Sequence, residues 1–133
     1  MTKERAYEYA IQASMNSNFG SHALGAVAIY GGKLLAVGWN SRKTHPAQAH
    51  YNSLERGFDG YSFKSTIHAE MMVINKIKYL DINFSKVKLY VWRGKQGPRL
   101  ARPCAACERA LRDLGIKHIF YTGNDSFVAE TYV

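Results

Sequence analysis

Two short segments constrain this chain more than anything else in it. They are His68-Ala69-Glu70 and Pro103-Cys104-Ala105-Ala106-Cys107, and each stands where a helical pattern begins. Cys104 and Cys107 are three apart, so on a helix both sulfurs leave one face within reach of a single ion. They are the only cysteines and too close in sequence to cross-link distant elements. That excludes a disulfide scaffold and leaves a metal or redox role in a reducing, cytoplasmic compartment. Thiolates favour Zn²⁺, and a helix N-terminus lowers their pKa. Two thiolates and one imidazole make three ligands and leave the fourth tetrahedral position to water, which separates a catalytic zinc from a structural one. A fold that uses both segments must bring two helix starts together.

The rest of the pattern supplies elements that can do this. Residues 3–16 place Ala6, Tyr9, Ala10, Ala13 and Met15 near one helical face. Residues 23–30 and 33–39 read as a β-hairpin, because Gly31-Gly32 accepts the positive φ angles of a tight primed turn. From 41 to 65 neither period is sustained, although 47–54 allow a short helix; long irregular stretches of this kind tend to be functional. Thr66 or Ser65 is expected to cap a helix running to about Leu80, with Met71, Met72, Ile74 and Ile77 as its buried stripe. Residues 86–92 alternate as a strand. Pro103 is expected as the first residue of a helix that covers 104–114 and stops at Gly115. Residues 116–122 form another strand, and the pattern from Gly123 onward does not choose between strand and helix. Alternating helices and strands predict a mixed sheet with helices packed on it.

Composition narrows the function. The chain has 133 residues, 47% of them hydrophobic and 21% charged. That suits one domain spanning 1–133. Its apolar stretches are broken well before the roughly 18 residues a membrane span needs, so no membrane partner is expected. Met1-Thr2-Lys3-Glu4-Arg5 leads into no uncharged apolar run, so no secretory signal is expected. Eighteen Lys and Arg against ten Asp and Glu give a net charge of +8. Such a balance favours anionic partners: a nucleotide phosphate, nucleic acid or an acidic surface.

The ordered pair His68-Ala69-Glu70 and Pro103-Cys104-Ala105-Ala106-Cys107, with a strand between the helices, resembles the zinc-dependent cytidine and deoxycytidylate deaminases. Their signature is His-x-Glu followed by Pro-Cys-x-x-Cys. The likeness extends to 24–29 and to Ala36-Val37-Gly38-Trp39-Asn40, similar to the family's first hairpin, and to 114–121, similar to the strand that follows Gly-Ile in deoxycytidylate deaminases. It implies a three-layer α/β/α fold, with a mixed sheet of four to five strands opening on an antiparallel hairpin. It implies a hydrolase with Zn²⁺ on His68, Cys104 and Cys107, and with Glu70 shuttling protons from the attacking water to the base and the departing ammonia. In relatives the backbone N–H between His and Glu, here Ala69, contacts the base, and the hairpin Asn, here Asn40, contacts the sugar. Tyr121 is expected under the base. A homo-oligomer is also implied.

The stretch from Arg93 to Arg102 carries Arg93, Lys95, Arg99 and Arg102 and no acid. It reads as a phosphate-binding loop, with Arg102 nearest the metal, and Arg42, Lys43 and His45 form the opposite wall. His22, His50 and His118 are expected as ordinary polar or core residues. The expected activity is hydrolytic deamination of a cytosine-type nucleotide, dCMP to dUMP. A deaminase of single-stranded DNA or of a tRNA loop is the alternative, supported by the charge and by the Tyr and Trp content; the Trp39-Asn40 pair is also similar to tRNA-adenosine deaminases. A non-catalytic zinc module for nucleic acid is the third reading, with His118 closing the site. Unlike many deoxycytidylate deaminases, the chain has no further Cys for a second zinc.

Overall fold

In the computed structural model, residues 1–56, 66–94, 100–124 and 126–133 are described. Helix α1 (Lys3–Ser14) is followed by strands β1 (Leu24–Tyr30) and β2 (Lys33–Trp39), then helices α2 (Pro46–Arg56) and α3 (Ala69–Ile77). Strand β3 (Lys88–Arg93), helix α4 (Ala105–Leu114) and strands β4 (His118–Thr122) and β5 (Phe127–Thr131) complete the order. The strands form one sheet in the order β2-β1-β3-β4-β5. Only β3 and β4 are parallel, joined through α4; β1 runs antiparallel to both β2 and β3, and β5 antiparallel to β4. The last eleven residues, which the pattern left open, supply one of the two edge strands, β5.

The alternation of β1 explains the layering. Ala26 and Ala28 face the larger core with Met71, Val73, Ile74 and Ile77 of α3 and Leu111 of α4. Val27 and Ile29 face Ala6, Tyr7 and Ala10 of α1. A strand buried on both sides carries an unbroken apolar run, which is how 23–30 reads. The hairpin turns at Gly31 and Gly32 with φ of 59° and 76°, as the Gly-Gly pair requires. The sheet is thus mixed and covered on both faces, with five strands.

Three helix boundaries differ from expectation. Thr66 does not cap α3: it bridges to Thr44, and the Ile67 N–H donates to the Lys43 carbonyl at 2.8 Å. Residues 66–67 are thereby held extended, and the helix begins at Ala69 with His68 as its N-cap. It ends at Ile77, before Leu80; Val73 joins the buried stripe and Met72 is half-buried. Ser65 lies outside the described residues. Pro103 is not the first residue of α4. The Ala101 N–H donates to the Thr122 carbonyl at 2.7 Å, which draws the chain along the end of β4 and delays the helix until Ala105. The proline that opens a helix is Pro46, after His45, whose Nδ1 accepts the Ala47 N–H at 3.0 Å. In α1, Tyr7 takes a buried place and Met15, beyond the helix end, is exposed.

Candidate active site

Two extended N-cap residues make the centre. His68 (ψ 159°) and Cys104 (ψ 167°) each precede a helix, and Cys107 sits in the first turn of α4. Packing of α3 against α4 beneath the sheet brings these helix starts together. The His68 Nδ1 lies 3.5 Å from the Cys104 Sγ and 3.4 Å from the Cys107 Sγ. Among the described residues, these three form the one group of His, Cys, Asp and Glu donors arranged for a metal, all within 4.8 Å of one another. Tetrahedral bonds of about 2.3 Å to sulfur and about 2.0–2.1 Å to nitrogen place N and S roughly 3.6 Å apart. The observed separations match that edge, and the donor set suits Zn²⁺. His118, needed to close a structural site, is not in the group.

Electrostatics agree with the geometry. Cys107 is fully buried, Cys104 half-buried and Glu70 only 4% exposed. Hydrogen bonding from the Cys107 thiol, helped by His68, pulls Cys104 down to about 3 against the opposing effect of burial. Cys107 is pushed well up because it donates to Cys104, is buried and sits beside Glu70. A divalent ion bound here would take both sulfurs as thiolates. Burial raises Glu70 above the ordinary carboxyl range, outweighing the pull of His68. A carboxyl whose affinity for the proton is raised is better suited to accept and return one.

Glu70, His68 and Cys104 line a cavity of about 410 Å³ together with Asn40, Arg93 and Arg102, within the size range of small-molecule sites. Asn40 is buried there. Its Oδ1 accepts from the Leu24 N–H (2.9 Å) and the Ser17 hydroxyl (2.6 Å), and its Nδ2 donates to the His22 carbonyl (2.9 Å). It therefore fastens 17–24 to the end of the hairpin. Ala69 is fully buried under Gly38.

Two expected contacts are arranged differently. Arg102 lines the cavity, but its guanidinium grips Glu130 through Nε (3.2 Å) and Nη2 (2.9 Å) and also reaches Glu108 at 3.4 Å. Tyr121 is buried in the core, donates its hydroxyl to Glu130 at 3.0 Å, and is not among the residues lining the cavity. Of the opposite wall, exposed Arg42 stands over the ring of Phe19, a cavity residue. His45 instead caps α2, and Lys43 contributes its backbone carbonyl. Lys95 and Arg99 lie outside the described residues.

Sequence reasoning missed two supports. Gln48 is fully buried; its Oε1 accepts the His68 backbone N–H at 3.1 Å, and its Nε2 donates to Asn52 at 2.9 Å. The only trace in the sequence is two amides four apart on the short helix near 47–54, a spacing that pairs side chains without saying what they hold. His22, expected as an ordinary residue, lines the cavity and meets Arg93 at 2.7 Å.

The profile of the cytidine and deoxycytidylate deaminase zinc-binding region matches residues 1–123. No curated protein sequence matches the chain. Among solved structures, a cytidine deaminase from Burkholderia pseudomallei is similar at a TM-score of 0.69 and 17% identity, over 98% of this chain and 93% of that one. A dCMP deaminase from the cyanophage S-TIM5, in complex with dCMP and dUMP, is similar at 0.56 and 19%, over 91% and 82%. A mutant cytidine deaminase from Mycobacterium tuberculosis is similar at 0.60 and 18%, over 91% and 84%.

Proposed function

Because the chain belongs to the cytidine and deoxycytidylate deaminase family, a class of zinc-dependent hydrolases, we propose that it deaminates a cytosine-type mononucleotide, dCMP to dUMP. The observation that carries this reading is the buried carboxyl of Glu70 in the same cavity as the His68, Cys104 and Cys107 donors. Those three side chains would hold Zn²⁺, which when bound would supply a Lewis acid that makes water nucleophilic near neutral pH. Glu70 accepts a proton from the attacking water and gives it to ring nitrogen N3; a bond from oxygen to C4 forms. Glu70 then passes the second proton to the amine, the C4–N bond breaks, and ammonia leaves. Its raised pKa suits both directions of transfer. The Ala69 backbone N–H and Asn40 stand as candidates for the base and sugar.

The same reading takes residues 1–133 as one deaminase domain that works in the cytoplasm as a homo-oligomer. No described helix is long and apolar enough to cross a membrane. The +8 charge supports a second reading, a polynucleotide substrate. Ammonia release from cytosine and adenine nucleosides, mononucleotides and short single strands tests both, with Glu70→Gln as the blank. Turnover of dCMP that Glu70→Gln lowers by about 10²–10⁴ at unchanged zinc content is expected. Turnover confined to strands, with binding that weakens steeply in salt, selects the polynucleotide; no turnover of any substrate by zinc-loaded protein rejects both.

A further inference from the structure

The positive charge around the cavity is not what its count suggests. Arg102 carries the sequence motif's charge, yet it is matched by Glu130 and Glu108. Arg93 lines the same cavity and has no carboxylate partner among the described residues. Its Nη1 donates to the Leu100 carbonyl (3.3 Å) and its Nη2 meets the His22 Nδ1 (2.7 Å), while its Nε–H is buried with no acceptor among the described residues. A buried donor left unpaired is costly, and an anion that met it would be bound more tightly for that reason.

The surroundings hold this guanidinium in place. Arg93 ends β3, at the carboxyl end of the parallel β3/β4 pair where ligands of open α/β sheets collect. Its backbone N–H donates to the Thr122 Oγ1 at 3.3 Å. A guanidinium only donates, so the His22 Nδ1 accepts and the ring proton sits on Nε2. The His22 carbonyl is in turn held by Asn40. Asn40 is thus a positioning residue, linking the hairpin to the orientation of Arg93.

We propose that Arg93, with His22 as its partner, is the residue that binds the phosphate of a nucleoside monophosphate in this cavity, in place of Arg102; the substrate class rests on the deaminase reading above. A guanidinium that lines the cavity and has no carboxylate partner among the described residues fits one phosphate better than the repeated phosphates of a strand.

The test is equilibrium binding to zinc-loaded protein of dCMP, deoxycytidine, AMP, adenosine, inorganic phosphate and a short single-stranded oligonucleotide. Wild type is expected to bind monophosphates at least about tenfold more tightly than the matching nucleosides. Arg93→Gln should remove that advantage, a loss of about 10- to 100-fold for a charge-assisted pair, and leave nucleoside binding and zinc content unchanged. Arg93→Lys, which keeps the charge and loses the fork, should retain part of it. The assignment is overturned if wild type shows no phosphate advantage, if Arg93→Gln keeps it, if Arg102→Gln alone removes it, or if only the oligonucleotide responds. Should dCMP bind through Arg93 and never turn over, the dCMP reading fails while the phosphate site stands. An AMP response without a dCMP response moves the base and not the site.

Discussion

Gly38 on β2 lies against Ala69 so closely that a Cβ at Gly38 would stand 2.5 Å from the Ala69 carbonyl oxygen and 2.9 Å from the Val73 Cγ2. The hairpin therefore packs directly on the helix turn that carries His68 and Glu70. A backbone oxygen cannot swing aside as a side chain can, so Gly38→Ala must push α3 off the sheet. The expected loss is about 1–3 kcal/mol in urea unfolding, as for overpacked cores, together with a lower zinc content. A variant with wild-type midpoint and metal content would mean that this contact does not position the site.

Gln48 supports the metal ligand through its backbone. Gln48→Leu leaves the His68 N–H without the acceptor it has at 3.1 Å and strips Asn52 of its donor. Zinc affinity, measured by competition with a chromogenic chelator, should fall roughly 10- to 100-fold, as for other outer partners of metal ligands. Retained affinity would reduce Gln48 to core filling.

Glu130 ties β5 to the segment before Cys104. Its hydrogen bonds with Arg102, reinforced by Tyr121, hold its carboxyl below the ordinary range. A lowered folded-state value contributes stability above the unfolded pKa and loses it as pH falls through the folded value. Wild type should therefore exceed Glu130→Gln by about 1 kcal/mol near neutrality, a modest figure because the pair is solvent-exposed. The gap should close on acidification below the usual carboxyl value of 4.5. Urea midpoints of both proteins from neutral pH down to pH 3 measure it; a gap constant over that range contradicts the assignment.

Metal and fold should be linked, because His68 meets the two sulfurs only when α3 and α4 are docked. A ligand that binds only the folded chain, present at about 1,000 times its Kd, stabilises it by about 4 kcal/mol. Chelation should lower Tm accordingly, and Cys107→Ala should unfold at the same low Tm with or without chelator. Equal melting of the metal-loaded and metal-free wild type would show that the site contributes nothing to folding.

Much of this was legible because it is local. The Gly31-Gly32 turn, the stop of α4 at Gly115 and the apolar run of β1 depend on residues within a few positions of one another. The spacing of Cys104 and Cys107 likewise puts two sulfurs on one helix face wherever that helix lies. Helix starts were misjudged where a distant strand intervened: Thr44 claimed Thr66 for a bridge, and Thr122 drew Ala101 along β4. A capping residue reads its own neighbours, and the competing partner lies far along the chain.

From the sequence alone came the identity of the metal donors, the nearby Glu70 and the mixed, helix-covered sheet, since periodicity, caps and ligand spacing are short-range properties. Only the tertiary structure decided that β1 lies inside the sheet, that Gln48 holds the His68 backbone and which of Arg93 and Arg102 lines the cavity without a carboxylate partner among the described residues. Arg93 and Arg102 are alike as residues in a basic segment. They differ because folding sets Glu130 and Glu108 beside one and His22 beside the other, and charge pairing follows distance in space.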